Sequence, residues 1–305
     1  MRGSGVLLLL LGWELAPRLH WVESWYIPSL TTVLTQLLVL IHSGMLFTHV
    51  MVSTWRVVNG LLIAIGIGLP LGMFLGRWGG SLAELLNPLL RLLSQVNPLS
   101  LLPVFMIGFG IGESVKLAVV AWVCIWPILF NTIGGVQNLD RQWIKTANSL
   151  GLSPISMMIK VLIPGAAPAF FVGVRIGVQW AFFVLIAGEM LGADAGLGRM
   201  LAATFHLGMV PHMFAAGLSI VLLGIGFNGV LIFLERTLFF WKMPQNRKER
   251  FICCKNLKVT GRMLGVALVA GIIGVNLIGG AELRKARNHP PPLNYSAERY
   301  YNMSE

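Results

Sequence analysis

Long apolar stretches separated by short polar segments dominate the hydrophobic pattern of this chain. A helix needs about 20 predominantly apolar residues to cross the hydrocarbon core of a bilayer. The pattern therefore predicts an all-α fold, a polytopic transmembrane helical bundle with about six core spans. These predicted spans cover residues 4–19, 54–76, 92–111, 114–136, 166–191 and 211–240.

A stripe of glycine marks the span over residues 54–76. Gly68, Gly72 and Gly76 recur at every fourth position. Small residues at this spacing share one helical face and let a neighbouring helix approach closely, so the stripe predicts a packing seam within the bundle.

Polar residues and prolines interrupt the span over residues 92–111. Gln95 and Asn97 would lie at membrane depth, and Asn97-Pro98 and Pro103 interrupt the apolar run. Breaks and polar groups at that depth face protein or a water-filled path and not lipid. Two interpretations stay open: Gln95 and Asn97 line a translocation path, or they form hydrogen bonds between helices.

The segment over residues 138–165 lies between two apolar spans but is too polar to cross a membrane. Its first half predicts a short helix, because Asp140 suits an N-cap and Gly151 suits the position just after a helix end. Ser153-Pro154 suits the start of a second helix. That second helix is predicted to end at Pro164 and Pro168. Each helix is about half of a spanning length, which predicts a pair at the membrane surface with one face open to a partner.

The composition agrees with an integral membrane protein. Of the 305 residues, 56% are hydrophobic and 11% are charged, whereas soluble domains carry about 25% charged residues. The net charge of +11 comes from basic residues that cluster in loops, as membrane topology produces, and this argues against a nucleic-acid partner. Histidines and cysteines lack metal-ligand spacing, so no metal site is predicted.

Residues 246–305 follow the predicted transmembrane domain, residues 1–245, as a basic linker, an apolar segment and a tail. The positive-inside rule places the linker in the cytoplasm. Residues 263–281 carry no charge and are long enough to span, which predicts a seventh transmembrane helix with the tail outside the cytoplasm. The alternative is a peripheral helix on the cytoplasmic surface, which would require a charged face that this segment lacks.

Nucleotide-binding and catalytic motifs are absent from the sequence. It has no Gly-x-x-x-x-Gly-Lys-[Ser/Thr] phosphate loop, so ATP-driven transport would need a partner ATPase. It also lacks His-Glu-x-x-His and Gly-x-Ser-x-Gly, which leaves a membrane-embedded enzyme without visible chemistry. An ion-driven secondary carrier would need acidic residues within the membrane, for which Glu189 is the candidate. Both interpretations, a membrane-embedded enzyme and a secondary carrier, stay open.

Several motifs resemble those of one family. Ala147, Gly151 and Val161-Leu162-Ile163-Pro164 are similar in spacing to the cytoplasmic EAA loop of ATP-binding-cassette importer permeases. Lys145 stands where that family has glutamate, and Thr146 stands where it has its first alanine. Further motifs resemble the nitrate, sulfonate, taurine and bicarbonate branch: Trp13-Glu14, Ile27-Pro28-Ser29, Leu69-Pro70-Leu71-Gly72, Gly108-Phe109-Gly110-Ile111-Gly112, Glu189-Met190-Leu191 and Gly196-Leu197-Gly198. Trp13-Glu14 also favours a first membrane helix over a cleavable signal peptide for residues 4–19.

The resemblance implies a type I importer permease whose loop, residues 138–165, docks into an ATPase subunit. The residues expected to couple to the ATPase are Lys145, Thr146, Ala147, Gly151 and Pro164. The expected partners are ATPase subunits, a periplasmic binding protein and a second permease subunit in a homodimer, in the lipid bilayer of the bacterial inner membrane. ATP and Mg²⁺ would bind the ATPase and no cofactor would bind this chain. The solute would be a small anion: nitrate, a sulfonate such as taurine, or bicarbonate.

Two charged residues in the fifth predicted span indicate where the anion passes. Arg175 lies about ten residues into the span, roughly 15 Å deep. Glu189 follows fourteen residues later, near the same helical face. We predict that this face, with Gln95 and Asn97, lines the translocation path and that Arg175 attracts the anion. The alternative is that Arg175 only satisfies backbone carbonyls near the preceding prolines.

Overall fold

The computed structural model describes residues 4–23, 25–78, 80–238 and 257–288. Within these ranges every regular element is a helix, which confirms the predicted all-α class. In chain order the helices are α1 (Ser4–Arg18), α2 (Leu30–His42), α3 (Met45–Trp78), α4 (Gly80–Ser94), α5 (Leu102–Phe109), α6 (Glu113–Gln137), α7 (Arg141–Ser149), α8 (Pro154–Met157), a π-helix (Met158–Leu162), α9 (Ile163–Gly192), α10 (Leu197–His206), α11 (Val210–Leu238) and α12 (Leu257–Asn288).

Four helical segments of the described ranges are long and apolar enough to cross a membrane. They are Met45–Arg77, Glu113–Gln137, Pro154–Gly192 and Val210–Leu238. They confirm the helices predicted over residues 54–76, 114–136, 166–191 and 211–240, although residues 239 and 240 lie outside the described ranges. The first and third segments begin earlier than predicted, because helix continues through polar residues and prolines that the apolar pattern excluded.

The predicted span over residues 92–111 is not one continuous helix. Helix α4 ends at Ser94, and α5 begins at Leu102 and has only eight residues. Between them, Asn97 Oδ1 accepts a hydrogen bond from the backbone N–H of Leu99 at 3.0 Å. An asparagine that bonds the backbone two residues ahead favours a turn, and the following Pro98 disfavours helix at Asn97. The first predicted span is found as a 15-residue helix, α1.

The chain divides into two compact units, of which the first comprises Met1–Trp55, Ile186–Leu223 and Val275–Glu305. One of its cores joins one face of α2 to α10 and α11. The buried members are Val33, Leu37, Leu40, Met200, Ala215 and Ala216.

The C-terminal end of α12 packs within this first unit. Thr48 Oγ1 donates a hydrogen bond of 2.9 Å to Glu282 Oε2. A Cβ added at Gly279 would lie 2.6 Å from Cβ of Trp55, so the two helices touch closely there. From the first contact to the second, the residue number rises on α3, from 48 to 55, and falls on α12, from 282 to 279. The two helices are therefore antiparallel in this region.

The second unit comprises Arg56–Leu185 and Gly224–Gly274. Here the glycine stripe of α3 packs against α6, which confirms the predicted seam. A Cβ added at Gly68, Gly72 or Gly76 would lie 3.1 Å, 2.7 Å or 2.8 Å from side-chain atoms of Ile128, Thr132 and Val136 respectively. The matched order of these contacts shows that α3 and α6 are parallel.

Helix α9 also packs against α6. A Cβ added at Gly173 would lie 2.6 Å from the carbonyl oxygen of Pro127, and one at Gly177 would lie 3.4 Å from Cα of Cys124. The order is reversed, so α9 is antiparallel to α6. The segment over residues 138–165 therefore connects two tightly packed helices at one end of this unit.

Candidate functional site

Helix α7 opens the connecting segment with the caps expected from the sequence. Asp140 is its N-cap, and Asp140 Oδ1 accepts a hydrogen bond from the backbone N–H of Gln142 at 2.9 Å. The chain leaves the helix through Gly151, whose φ is +65°, a left-handed conformation that favours glycine. The backbone N–H of Leu152 then bonds the carbonyl of Ala147 at 3.2 Å and closes the turn.

The second predicted helix begins as expected but does not end where expected. Ser153 caps α8 and accepts from the N–H of Ser156 at 3.3 Å. The predicted end at Pro164 and Pro168 is wrong, because α9 runs through both prolines to Gly192. The preceding π-helix explains this, since Ile163 N–H bonds the carbonyl of Met158, five residues earlier. Such wider bonding shifts the hydrogen-bond ladder just ahead of Pro164, which has no N–H.

The five residues expected to couple to an ATPase differ in exposure. Lys145, Thr146, Gly151 and Pro164 are exposed. Ala147 is buried, with 3% of its surface exposed. Its side chain therefore packs inside this chain, and the coupling of these five residues to an ATPase stays a prediction.

An open cavity of about 1080 Å³ lies between the end of α6, α7 and the start of α9. Its polar lining includes Asn131, Asp140, Thr146 and Lys160. Apolar lining comes from Phe130 of α6, from Leu139 ahead of α7, and from Leu150 and Leu152 after it. The cavity therefore lies where the connecting segment over residues 138–165 meets the C-terminal end of α6, a predicted membrane helix.

Arg175 is paired with a carboxylate. Arg175 Nη1 lies 3.1 Å from Glu235 Oε2 of α11, and the two side chains are 34% and 28% exposed. Pairing lowers the cost of holding a guanidinium at membrane depth. Neither of the two interpretations drawn from the sequence anticipated Glu235 as the partner of Arg175.

Gln95 and Asn97 lie in the break between α4 and α5, and both are exposed. The carbonyl group of the Asn97 side chain is used by the local turn described above. A polar, non-helical segment within a membrane would require a protein or water environment. Their predicted place on a translocation path stays a prediction.

Glu189 is buried, and its carboxylate is surrounded by hydrogen-bond donors of this chain. Its side chain is 1% exposed, and its carboxylate accepts hydrogen bonds from Ser53 Oγ at 2.9 Å and from the N–H of Gly198 at 2.9 Å. The second bond satisfies a backbone donor in the first turn of α10, where a negative charge is also favoured by the helix dipole. This carboxylate therefore anchors the start of α10, and the predicted place of Glu189 on a translocation path stays a prediction.

The motif Gly196-Leu197-Gly198 surrounds this carboxylate. A Cβ at Gly196, whose φ is +133°, would overlap the carboxyl group of Glu189, and one at Gly198 would overlap the carbonyl of Ile186. The N–H of Leu197 donates to Ser53 Oγ at 3.0 Å, and the N–H of Gly196 donates to His49 Nδ1 at 3.0 Å. Sequence reasoning identified both motifs of this cluster but not that they meet.

Sequence reasoning also missed a cluster of three charges in the second unit, in which Arg56 and Lys116 are buried and Glu113 is partly exposed. Arg56 is 0% exposed, and its Nε and Nη2 donate to the Glu113 carboxylate at 2.6 Å and 2.8 Å. Lys116 Nζ donates to the same carboxylate at 2.9 Å. Arg56 in an otherwise apolar run, and Glu113 and Lys116 at i and i+3 on α6, were the available signals.

Comparison with known proteins gives a family match over more than half of the chain. A sequence profile described as "Binding-protein-dependent transport system inner membrane component" matches residues 68–239. The putative aliphatic sulfonates transport permease protein SsuC of Escherichia coli (strain K12) is 34% identical over 239 residues, covering 78% of this chain and 90% of the relative. The nitrate import permease protein NrtB of Leptolyngbya laminosa is 30% identical over 189 residues, covering 62% and 67%.

A solved structure shares the fold. The match is to a chain of the MetNI methionine ABC transporter in an inward-facing conformation, with a TM-score of 0.56 and 19% identity. It covers 64% of this chain and 96% of the other. At this level of identity the similarity concerns the fold, which is that of an importer permease.

Proposed function

Because this chain belongs to the family of binding-protein-dependent transport system inner membrane components, we propose that it forms the translocation path of an importer for a small oxyanion. Members of the family are inner-membrane permease subunits of ATP-binding-cassette importers, which work with an ATPase and a binding protein. The chain is accordingly a transport subunit and not an enzyme. Family membership replaces the secondary carrier and the membrane-embedded enzyme as interpretations.

The choice of an oxyanion rests on one observation: the 34% identity to a permease named for aliphatic sulfonates extends over 78% of the chain. The relative named for nitrate import supports the same chemical class. A sulfonate and nitrate each spread one negative charge over three oxygen atoms. A path that serves either solute needs hydrogen-bond donors and positive potential, and not a pocket for a large apolar group.

The exposed face of the segment over residues 138–165 would receive the ATPase. Lys145, Thr146 and Gly151 are exposed there, while Ala147 holds the segment against its own chain. ATP and Mg²⁺ would bind the ATPase, whose closure would move this segment. Because α8, the π-helix and α9 form one continuous helical run of 39 residues, Pro154–Gly192, such a movement would pass directly to the spanning part.

The path itself would involve Arg175, Gln95 and Asn97, completed by a second copy of this chain in a homodimer. The binding protein would deliver the anion, and the bundles would alternate between inward-open and outward-open states. Arg175 supplies positive charge next to Glu235, and the exposed break at Gln95 and Asn97 offers polar groups.

Helix α12 is not among the four long apolar segments described above, but its charge-free residues 263–281 would form a seventh span added to the family core. It has 32 residues, and its C-terminal end packs antiparallel to the first turns of α3 through Glu282 and Gly279. Arg77 at the other end of α3 marks the cytoplasmic side by the positive-inside rule. The end of α12 at Asn288 would therefore lie on the extracytoplasmic side.

Transport by the reconstituted complex tests the proposed function. The permease, its ATPase and its binding protein are placed in proteoliposomes, and uptake of labelled taurine, an alkanesulfonate and nitrate is compared with that of a neutral amino acid. We expect ATP-dependent uptake of at least one oxyanion and none of the neutral solute. ATP-dependent uptake of only the neutral solute would contradict the proposal.

A further inference from the structure

One side of α9 in the second unit carries an exposed polar residue. Gly173 and Gly177 pack against α6, as described above, and Ala181, one turn further along the same face, is 0% exposed. Gln179 lies two residues past Gly177, about 200° around the helix, and it is exposed. Its side chain therefore starts from the side of α9 that is turned away from α6.

Arg175 and Phe183 share this side of the helix with Gln179, because they lie four residues before it and four residues after it. The Arg175 side chain is 34% exposed although it is paired with Glu235 of α11, and Phe183 is 65% exposed. We refer to Arg175, Gln179 and Phe183 as the open face of α9. It places a cation, an amide and an aromatic ring within about 12 Å along the helix axis.

Gln179 lies near the middle of a spanning helix. Helix α9 extends over Ile163–Gly192, and at 1.5 Å per residue Gln179 is about 24 Å from its first residue and about 20 Å from its last. Lipid offers no hydrogen-bond partner at this depth, and an amide without one is costly. The open face is therefore turned to water or to another polypeptide and not to lipid.

The side chains of the open face favour water over a closely packed second helix. Helices in membranes approach each other through small residues, and Gly173 and Gly177 of α9 are used against α6. Gln179 instead lies next to Trp180 and one turn from Phe183, two exposed rings whose centroids are 6.5 Å apart. Large side chains and the charge of Arg175 fit an aqueous space in front of this face better than a tight helix–helix seam.

We propose that Gln179 lies on the translocation path and that its side-chain N–H donates a hydrogen bond to the transported oxyanion near the middle of the membrane. This inference rests on the proposed oxyanion import, and it adds a path residue that the sequence pattern did not single out. Arg175, one turn away, supplies positive potential that is moderated by Glu235. The amide of Gln179 is neutral, so it replaces part of the hydration of the anion without retaining it as a free cation would.

Two substitutions of similar size test the contact. Gln179→Leu removes the amide, and Gln179→Glu replaces it with a carboxylate that repels an anion. The matched control is Gln36→Glu, the same chemical change at a partly exposed glutamine of α2. Each variant is reconstituted with the ATPase and the binding protein, and the initial rates of taurine and nitrate uptake are measured.

We expect Gln179→Leu to lower oxyanion uptake about tenfold, as for loss of one hydrogen bond to a charged group. Gln179→Glu should lower it further, whereas Gln36→Glu should match the unmodified protein. Because Gln179 is exposed, its variants should melt at the temperature of the unmodified protein. Uptake by both Gln179 variants within twofold of the unmodified protein would overturn the inference.

A cysteine at position 179 tests the aqueous space independently of these rates. Gln179→Cys is made with Cys253 and Cys254 replaced by serine, while Cys124 is retained because it is 0% exposed. A positively charged methanethiosulfonate reagent should label the new cysteine, and saturating taurine or nitrate with the binding protein should protect it. Absence of labelling would overturn the inference. If a disulfide between two copies then forms under mild oxidation, Gln179 lies in a subunit seam; if none forms, it faces lipid.

The outcomes also separate this inference from the proposed function. If the unmodified complex imports a neutral solute and no oxyanion, the proposed function fails, and the contact between Gln179 and an oxyanion fails with it. If oxyanion import is intact and insensitive to the substitutions at position 179, only the inference fails. If either variant fails to assemble, labelling and protection of Gln179→Cys decide.

Discussion

Ser53 of α3 and Glu189 of α9 are 136 residues apart in the sequence, and Ser53 Oγ donates a hydrogen bond of 2.9 Å to Glu189 Oε1. The same serine oxygen accepts from the N–H of Leu197, and the same carboxylate accepts from the N–H of Gly198. One buried carboxylate thus connects α3, the end of α9 and the start of α10. This arrangement explains why Glu189 and the Gly196-Leu197-Gly198 motif occur together.

Glu189→Ala should destabilise the protein and not merely slow transport. The substitution leaves the hydroxyl of Ser53 and the N–H of Gly198 without their acceptor, at a cost of about 2–4 kcal/mol. Thermal unfolding of the purified permease in detergent measures this loss. Met190→Ala, at a partly exposed neighbour, should have a much smaller effect. An unchanged melting temperature with abolished uptake would instead support the predicted place of Glu189 on the translocation path.

Gly72→Ala should weaken the seam between α3 and α6. The new Cβ would lie 2.7 Å from Cβ of Thr132, and overpacking of this kind costs about 1–3 kcal/mol. Gly66→Ala is the matched control, because a Cβ at Gly66 of the same helix meets nothing within 4 Å. That control should be neutral or stabilising by up to about 1 kcal/mol. Equal melting temperatures for the two variants would contradict the seam.

Substitutions at Gly151 should separate the turn from the ATPase contact. Asparagine tolerates the left-handed conformation, whereas a β-branched residue adds roughly 1–2 kcal/mol of strain. We therefore expect Gly151→Asn to retain ATP-dependent uptake and Gly151→Val to lose it or to fail to bind the ATPase. Co-purification and uptake are measured together. Normal uptake by Gly151→Val would show that this turn is not needed for coupling.

Reversing the ion pair between Arg175 and Glu235 should distinguish pairing from anion attraction. Arg175→Glu alone places two carboxylates together and should impair assembly. Adding Glu235→Arg restores the pair, so assembly should recover. Uptake should stay below that of the unmodified protein, because the positive charge then lies on α11. Full recovery of uptake would mean that Arg175 serves only to pair with Glu235.

A cysteine at position 304 tests the topology of α12. Ser304 lies outside the described residues, beyond the end of α12. With Cys253 and Cys254 replaced by serine, Ser304→Cys should react with a membrane-impermeant thiol reagent in intact cells with a permeable outer membrane. Ser149→Cys, on the segment over residues 138–165 that is predicted to be cytoplasmic, should react only after the inner membrane is opened. Labelling of position 304 only under the second condition would place the tail in the cytoplasm.

The sequence by itself determined the membrane class, the four long helices and the family. These follow from local properties: the length of apolar runs, the glycine spacing at Gly68, Gly72 and Gly76, and the caps at Asp140, Gly151 and Ser153. Helix caps and apolar length depend on neighbours within a few residues, so the pattern is sufficient to predict them. The sequence also showed the break at Asn97-Pro98, but residues 92–111 were still predicted to form one span.

The tertiary structure alone decided what each polar residue does. Glu189 and Arg175 lie on one helix and had one predicted role, yet the first is enclosed by Ser53 and Gly198 and the second is paired with Glu235. The sequence predicted a helix end at Pro164 and Pro168, but the structure has a π-helix just ahead of them and the helix continues through both. Burial and hydrogen-bond partners are set by other segments of the chain, 136 residues away for Ser53 and Glu189 and 60 residues away for Arg175 and Glu235. A single helix can therefore expose, pair or enclose equally polar side chains, and the spacing along the chain does not distinguish these outcomes.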